Sequence, residues 1–253
     1  MSVRGLDALY VTILCFLLLS FQLAANEDCL LSVRIEPEQQ STAAVIHNRT
    51  ALSMQSYQLL QQLMNKVGCK LNPVSLPSGR AIRMLEDGEL AIMVGMSKTD
   101  ARSQYSYFIG PHHTERMFAV GLREFKENVA DLTQLLKQDG VISVTEGAYY
   151  GEEWGRLLQE DATLYPRLFF ASGNQQKLAM LASGRVIASL EDEEIIDEFL
   201  LDEELARRYS KLFLLNENPV YFAFSRKAIS EERYLRLEQL WLQLVSEQAN
   251  LSN

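Results

Sequence analysis

The chain has 253 residues, 47% of them hydrophobic and 23% charged, with a formal net charge of -9. That length holds one large domain or two modest α/β lobes, each with its own core. No basic stripe interleaved with aromatics occurs, so nucleic acid is excluded as a partner, because phosphate contacts need clustered Lys and Arg; the acidic balance fits a soluble monomer.

The first 25 residues read as a secretory signal rather than as part of a fold. Arg4 supplies a positive start, Ala8 to Leu19 is almost wholly apolar, and Ser20, Ala24 and Ala25 precede the polar Asn26-Glu27-Asp28. An uncleaved N-terminal anchor is the alternative reading of the same run. After Asn26 no stretch is long and apolar enough for a bilayer span. Cys15 falls inside the signal, which leaves Cys29 and Cys69 in the mature part. An even pair in an oxidising compartment points to one disulfide, tying the first strand to the end of the first long helix; two unpaired buried thiols are the alternative. Without a CxxC or a Cys/His cluster, no metal site is expected.

Leu30 to Ile35 reads as a buried strand. Gln55 to Val67 carries Leu59, Leu60, Leu63, Met64 and Val67 at helical spacing and stops at Gly68. Lys70 to Val74 is a second strand. Ser78 is placed to cap a helix through Glu86 that ends at Asp87-Gly88. Leu90 to Val94 is a third strand. The β-α-β-α-β order implies a mainly parallel sheet covered by helices.

The pattern then repeats in kind. Phe118 to Leu122 is apolar; Val129 to Lys137 reads as helix, Val141 to Val144 as strand and Tyr149 to Gln159 as helix. Leu168 to Ala171 is a strand, and Ser172-Gly173-Asn174-Gln175 has the form of a capping box before a helix that stops at Gly184. Val186 to Leu190 is another strand, the acidic Glu191 to Leu200 another helix, and Leu212 to Leu215 is strand-like. Val220 to Ser225 reads as a strand. Ser230 begins a long amphipathic helix with Leu237, Leu240, Trp241, Leu244 and Val245 on one face. Two similar halves, joined by apolar segments near 118–122 and 216–222, suggest two lobes crossed twice by the chain, with a ligand cleft between them.

Several segments form an ordered set. Ser78 to Leu90 contains Leu85-Glu86-Asp87-Gly88. Next come Gly95-Met96-Ser97-Lys98-Thr99-Asp100-Ala101-Arg102, then Tyr107-Phe108-Ile109-Gly110-Pro111, and in the second half Leu181-Ala182-Ser183-Gly184-Arg185-Val186-Ile187-Ala188-Ser189-Leu190-Glu191-Asp192-Glu193. In order and spacing this set resembles bacterial extracellular solute-binding protein family 3, the periplasmic amino-acid-binding components of ABC transporters. The resemblance spans nearly the whole mature chain. It implies the α/β, two-lobed type II periplasmic-binding-protein fold, each lobe a mainly parallel sheet flanked by helices. The expected division is a signal over 1–25, one lobe from 26–121 and 220–253, and a second from 122–219. It further implies a monomer in the periplasm that hands a small polar solute to an inner-membrane ABC permease. An orphan ligand sensor of the same fold without a transporter, or a periplasmic enzyme of the same fold, remains the alternative.

The resemblance also implies a binding set. A zwitterionic amino acid enclosed between lobes loses its water, so its carboxylate and ammonium must each be paired. Arg102 stands at the family's carboxylate-binding arginine, and its planar fork suits a bidentate carboxylate. Ser97 and Thr99 would add hydroxyls. Asp192 matches the acid that accepts the α-ammonium from the opposite lobe. Gly147 and Tyr149 sit in the family's Gly-containing turn at a helix start, where N–H groups bind an anion. Each of these residues also has a plain structural reading: Arg102 as a solvated turn arginine, Asp192 as a helix start, Ser97 and Thr99 as caps.

The departures bear on specificity. Ala148 and Tyr149 replace a hydroxyl pair, and Ile187 stands where the family has Asp. Pro37 to Ser41 lacks the aromatic lid, which leaves Tyr57, Tyr149 and Tyr150 as stacking candidates. His112 and His113 read as two exposed histidines near the cleft edge. Asn48-Arg49-Thr50 and Asn250-Leu251-Ser252 match the glycosylation sequon. No GxSxG, HExxH or Walker loop occurs, so no enzyme activity and no cofactor are expected.

Overall fold

In a computed structural model, the structure describes residues 29–36 and 51–251. The signal over 1–25, the Pro37–Ser41 segment and the sequon at Asn48 lie outside the described residues, and the second sequon runs past their end. The chain begins with β1 (Cys29–Ile35), α1 (Ala51–Lys66), β2 (Cys69–Ser75), α2 (Ser78–Asp87), β3 (Ile92–Ser97) and the single turn α3 (Asp100–Ser103). The long strand β4 (Ser106–Leu122) leads to α4 (Leu132–Leu136), β5 (Ile142–Thr145), α5 (Glu152–Glu160), β6 (Leu168–Ala171), α6 (Asn174–Ala182) and β7 (Ala188–Asp192). Then follow α7 (Glu193–Phe199), α8 (Glu203–Arg208), the second long strand β8 (Tyr209–Ser225) and α9 (Glu231–Leu251).

The strands lie in one eight-stranded order, β2-β1-β3-β8-β4-β7-β5-β6. In the first lobe β1 runs parallel to both β2 and β3, and in the second β5 runs parallel to both β6 and β7. The two parallel sets meet through β4 and β8, which pair antiparallel along their length. β3 adds to the Val220–Phe224 end of β8, while β7 adds to the Met117–Gly121 end of β4. The two long strands therefore belong to both lobes, and Gly110 to Arg116 and Asn216 to Pro219 run between them. Cys29 and Cys69, opposite each other in the β1–β2 register, are joined by a disulfide of 2.06 Å.

Side chains of a strand point alternately to opposite faces, and the four buried clusters follow that alternation. In the first lobe Ile92, Phe222 and Phe224 pack with Leu60, Leu63 and Met64 of α1 and Leu237, Trp241 and Leu244 of α9. Their neighbours Met93 and Ala223 face the other way, onto Ala81 and Leu85 of α2. In the second lobe Ala119, Ile142 and Val144 pack with Leu135 and Trp154. Val120 faces Leu178 and Leu181 of α6 and Ile196 and Phe199 of α7. Each lobe is thus a sheet covered on both faces, the layering expected of a parallel core.

Several local expectations change. Ser78 is the first residue of α2 rather than its cap; Pro77 holds the N-cap position without a side-chain bond, because a residue locked near φ -65° suits a helix entry. Before α6, Gln176 Oε1 accepts from Ser172 N at 2.8 Å and from Ser172 Oγ at 3.0 Å. Val245 is 43% exposed and leaves the buried face of α9. Residues 212–215 and 220–225 are one strand, although Asn216-Glu217-Asn218-Pro219 reads as a breaker. Pro219 is tolerated because β4 and β8 are irregular here, with register shifts between Ile109 and His113 and between Met117 and Phe118.

Candidate functional site

The end of β3 and α3 supply the first wall of the interlobe cleft. Ser97 closes β3 and is buried. Thr99 is the N-cap of α3: its Oγ1 accepts from Arg102 N at 3.3 Å, and its carbonyl accepts from Ser103 N and Oγ. The cap turns Arg102 back over the strand end. The guanidinium then donates from Nη1 to the Ser97 carbonyl at 2.8 Å and from Nη2 to the Gly147 carbonyl at 2.9 Å. Ser97 belongs to the first lobe and Gly147 to the second, so Arg102 bridges the cleft. Burial holds its pKa below the usual arginine value, opposed by Tyr105, Glu115 and Tyr149.

Gly147 lies in the turn after β5, at φ +77°, with α5 starting only at Glu152. It therefore does not open a helix, and its carbonyl is what Arg102 meets. A Cβ there would come within 2.6 Å of Ile82 Cδ1, the movable end of a side chain from the opposite lobe, so it is the backbone angle that requires glycine. Two further contacts close the cleft: Ser78 N donates to the Ser172 carbonyl at 3.3 Å, and Arg83 pairs with Glu146 at 3.0 Å.

A cavity of about 330 Å³ opens at this junction, lined by Ser97, Thr99, Tyr149, Asn218, Pro219 and Tyr221 with the exposed Lys98 and Asp100 at its rim. Three of the expected residues, Ser97, Thr99 and Tyr149, are therefore together. A cavity of about 400 Å³ among Arg123, Glu203, Ala206 and Arg207 lies elsewhere on the second lobe; there Arg123 donates to the Ala206 and Tyr209 carbonyls, which occupies its fork. Tyr57 packs on the α1–α9 core and Tyr150 is wholly buried, its hydroxyl accepting from Thr145 N and donating to the Leu190 carbonyl, so Tyr149 is the stacking candidate that reaches the cavity.

Asp192 ends β7 and caps α7, accepting from Glu194 N at 2.9 Å. Its own N–H donates to Glu191 Oε1, and Glu191 is ion-paired at 2.9 Å with Lys177, both side chains buried. Burial, with the Glu194 and Glu193 carboxylates, pushes the Asp192 pKa up to about 6. Asp192 and Arg102 make no direct contact. Both act electrostatically on Glu115 of β4, which is absent from the sequence expectations. Burial first, then the charges of Asp192 and Glu191, push its pKa up to about 8, while Lys177 and Arg102 act the other way. The signal that points to Glu115 is a polar run, His112 to Arg116, inside an otherwise apolar strand; periodicity alone reads such a run as a loop.

His112 and His113 are not exposed. Ser56 Oγ lies 3.0 Å from His112 Nδ1, Gly95 N donates to His112 Nε2 at 3.3 Å, and the His112 ring stacks on Phe222. Burial lowers their pKa values to about 3 for His112, helped by His113, and about 4 for His113. Both rings are neutral parts of the first lobe, beside the stretch of β4 that leads to the second. Among the described residues no group of acids, histidines and cysteines is placed to hold a metal ion, and no helix is long and apolar enough to cross a membrane.

No family model and no curated protein matches the chain by sequence. Solved structures do match. The P235GK mutant of ArgBP from T. maritima aligns with TM-score 0.66 and 14% identity over 87% of this chain and 91% of its own. An amino acid ABC transporter substrate-binding protein, AbpA from Streptococcus pneumoniae, bound to L-arginine, aligns with TM-score 0.66 and 16% identity over 88% and 91%. A histidine kinase sensor domain with similarity to periplasmic binding proteins aligns with TM-score 0.65 and 11% identity over 88% and 92%. With β4 and β8 shared between two parallel sets, the chain has the two-lobed, type II periplasmic-binding-protein-like fold.

Proposed function

We propose that this chain is a periplasmic solute-binding protein that takes a small polar solute, an amino acid or a derivative, into the cleft between its lobes for ABC-type uptake. The observation that carries this reading is Arg102, a half-buried cation donating to one carbonyl from each lobe beside a cavity of about 330 Å³. Asp192 and Glu115 on the far side supply the opposite charge. Arg102 takes the solute carboxylate, with Ser97, Thr99 and the Gly147 turn around it. Asp192 takes the ammonium and Tyr149 covers the solute. Contacts of this kind are complete only when both lobes engage, so binding draws the population toward closure.

A thermal-shift screen of amino acids, polyamines and small carboxylates tests the reading. A true solute at about a hundred times its Kd adds about 2.7 kcal/mol of stability and raises the melting temperature; if no compound moves the transition, the reading fails. The likeness to a histidine kinase sensor domain favours one second reading, a sensor with the same cleft and no permease. Co-purification with a permease separates the two.

A further inference from the structure

The charged groups at the cleft do not cancel. Arg34 pairs with Glu36, Arg83 with Glu146 and Lys177 with Glu191. Lys98 and Asp100 are both exposed at the rim and oppose each other in sign. Three groups remain: one cation, Arg102, and two acids, Asp192 and Glu115. A zwitterion would satisfy Arg102 and Asp192 and leave one acid over. Left without a cation, that acid has no charged partner in a closed, water-poor cleft and must hold a proton to stay neutral.

Register places the extra acid on the right face. Asp192 pairs with Met117 of β4, and Glu115 is two residues away on the same strand, hence on the same face and a diagonal neighbour of Asp192. Glu115 pairs across with Asn218, a lining residue of the cavity. Arg116, on the alternate face, is engaged by Glu193 and Glu217 and does not neutralise Glu115. On the cationic side, Arg102 gives one N–H to each of two carbonyls, which leaves donors of its five free for a carboxylate.

Resting on the solute-binding reading above, we infer that the guest is a net-cationic amino acid, with one carboxylate and two cationic groups, and that Glu115 is the residue that selects it by receiving the cationic side chain. The carboxylate meets Arg102, the α-ammonium Asp192 and the side-chain cation Glu115, so all three unmatched groups find partners. The charges that act on Glu115 are those of Asp192 and Glu191 of β7, Lys177 of α6 and Arg102 of α3. With its pKa near 8 when the cleft is empty, Glu115 holds a proton at neutral pH that the incoming cation displaces. Affinity for such a guest therefore rises with pH up to about 8.

The test is calorimetry on the wild-type protein and on Glu115→Gln, with L-arginine and with L-citrulline, its uncharged near-isostere, as probes. Wild type is expected to prefer arginine by about tenfold to a hundredfold, the range of a hydrogen bond between charged groups. Glu115→Gln is expected to erase that preference while citrulline affinity holds or improves. Titrations at pH 7 in two buffers of different ionisation enthalpy are expected to show nearly one proton released with arginine and none with citrulline. Citrulline bound as tightly as arginine, or a preference that survives Glu115→Gln, would overturn the selection by Glu115 and leave the solute-binding reading standing. Heat from neither probe, with no other amino acid shifting the melting transition, would sink both.

Discussion

The guanidinium of Arg102 and the carbonyl of Gly147, 2.9 Å apart, join a side chain of one lobe to the main chain of the other. The same guanidinium holds the Ser97 carbonyl at 2.8 Å, so one residue both anchors the end of β3 and spans the cleft. Gly147 can present its carbonyl there because glycine adopts φ +77° without strain.

Replacing Arg102 by Ala removes the cation and both bonds. We expect the fold to persist, since each lobe keeps its own core, and binding of any carboxylate-bearing solute to weaken by about a hundredfold or more, the scale of truncating a buried charged partner. Circular dichroism and calorimetry measure the two effects. An unchanged affinity would remove the carboxylate clamp.

Asp192→Asn separates capping from charge. Asn is as good an N-cap as Asp, so the bond to Glu194 N survives, and because Asn carries no buried charge, stability in denaturant at pH 7 should hold or rise rather than fall. Solutes with an ammonium should bind about tenfold more weakly or worse. A solute without one should be unaffected; equal weakening of both would show that Asp192 does not receive the amine.

The buried pair Lys177–Glu191 sits directly behind Asp192. Lys177→Met leaves a carboxylate buried without its partner and is expected to cost about 3–5 kcal/mol, whereas the double change with Glu191→Leu should recover most of the loss. Urea unfolding of the three proteins decides this. A single variant as stable as wild type would mean that Glu191 has another source of compensation.

The two histidines predict an acid limb. Their folded pKa values, about 3 and about 4, lie below the ordinary 6.5, so the unfolded chain takes up more protons in that window. Their contribution is fully present above pH 6.5 and is lost as pH falls toward 4. If both rings titrate, the slope approaches about 2.7 kcal/mol per pH unit. The raised pKa values of Glu115 and Asp192, about 8 and about 6, act oppositely: there the folded state holds the proton, and stability falls as pH rises from about 4 to about 8, partly offsetting the histidine limb in wild type. Denaturant titrations between pH 4 and 8 on wild type and on His112→Gln/His113→Gln should show the acid limb flattened in the variant. An identical limb would assign it to other groups.

Much of this architecture is legible along the chain. Helical spacing at Leu59, Leu60, Leu63 and Met64 and at Leu237, Trp241 and Leu244 marks the two helices that cover one face of the first sheet. The Cys29–Cys69 pairing follows from the two cysteines left once the expected signal over 1–25 is set aside, and its geometry from the register of β1 and β2. The long strands are less legible. Val220 to Ser225 reads as a strand, but the continuity of Tyr209–Ser225 through Asn218-Pro219 depends on its partner β4, and turn-forming residues mask that pairing.

Local order is written in neighbours along the chain, so periodicity, capping residues and glycine stops determined the α/β alternation, the layered cores and the placing of Ser97, Thr99 and Arg102 at one strand end. The company those residues keep was decided only in three dimensions. Gly147 is 45 residues from Arg102, and Glu115 faces Asp192 only because β4 and β7 pair in one register. Charge and burial act through space, so Glu115, whose carboxyl burial pushes up to about 8, has no mark of its own in the sequence beyond a polar break in an apolar strand.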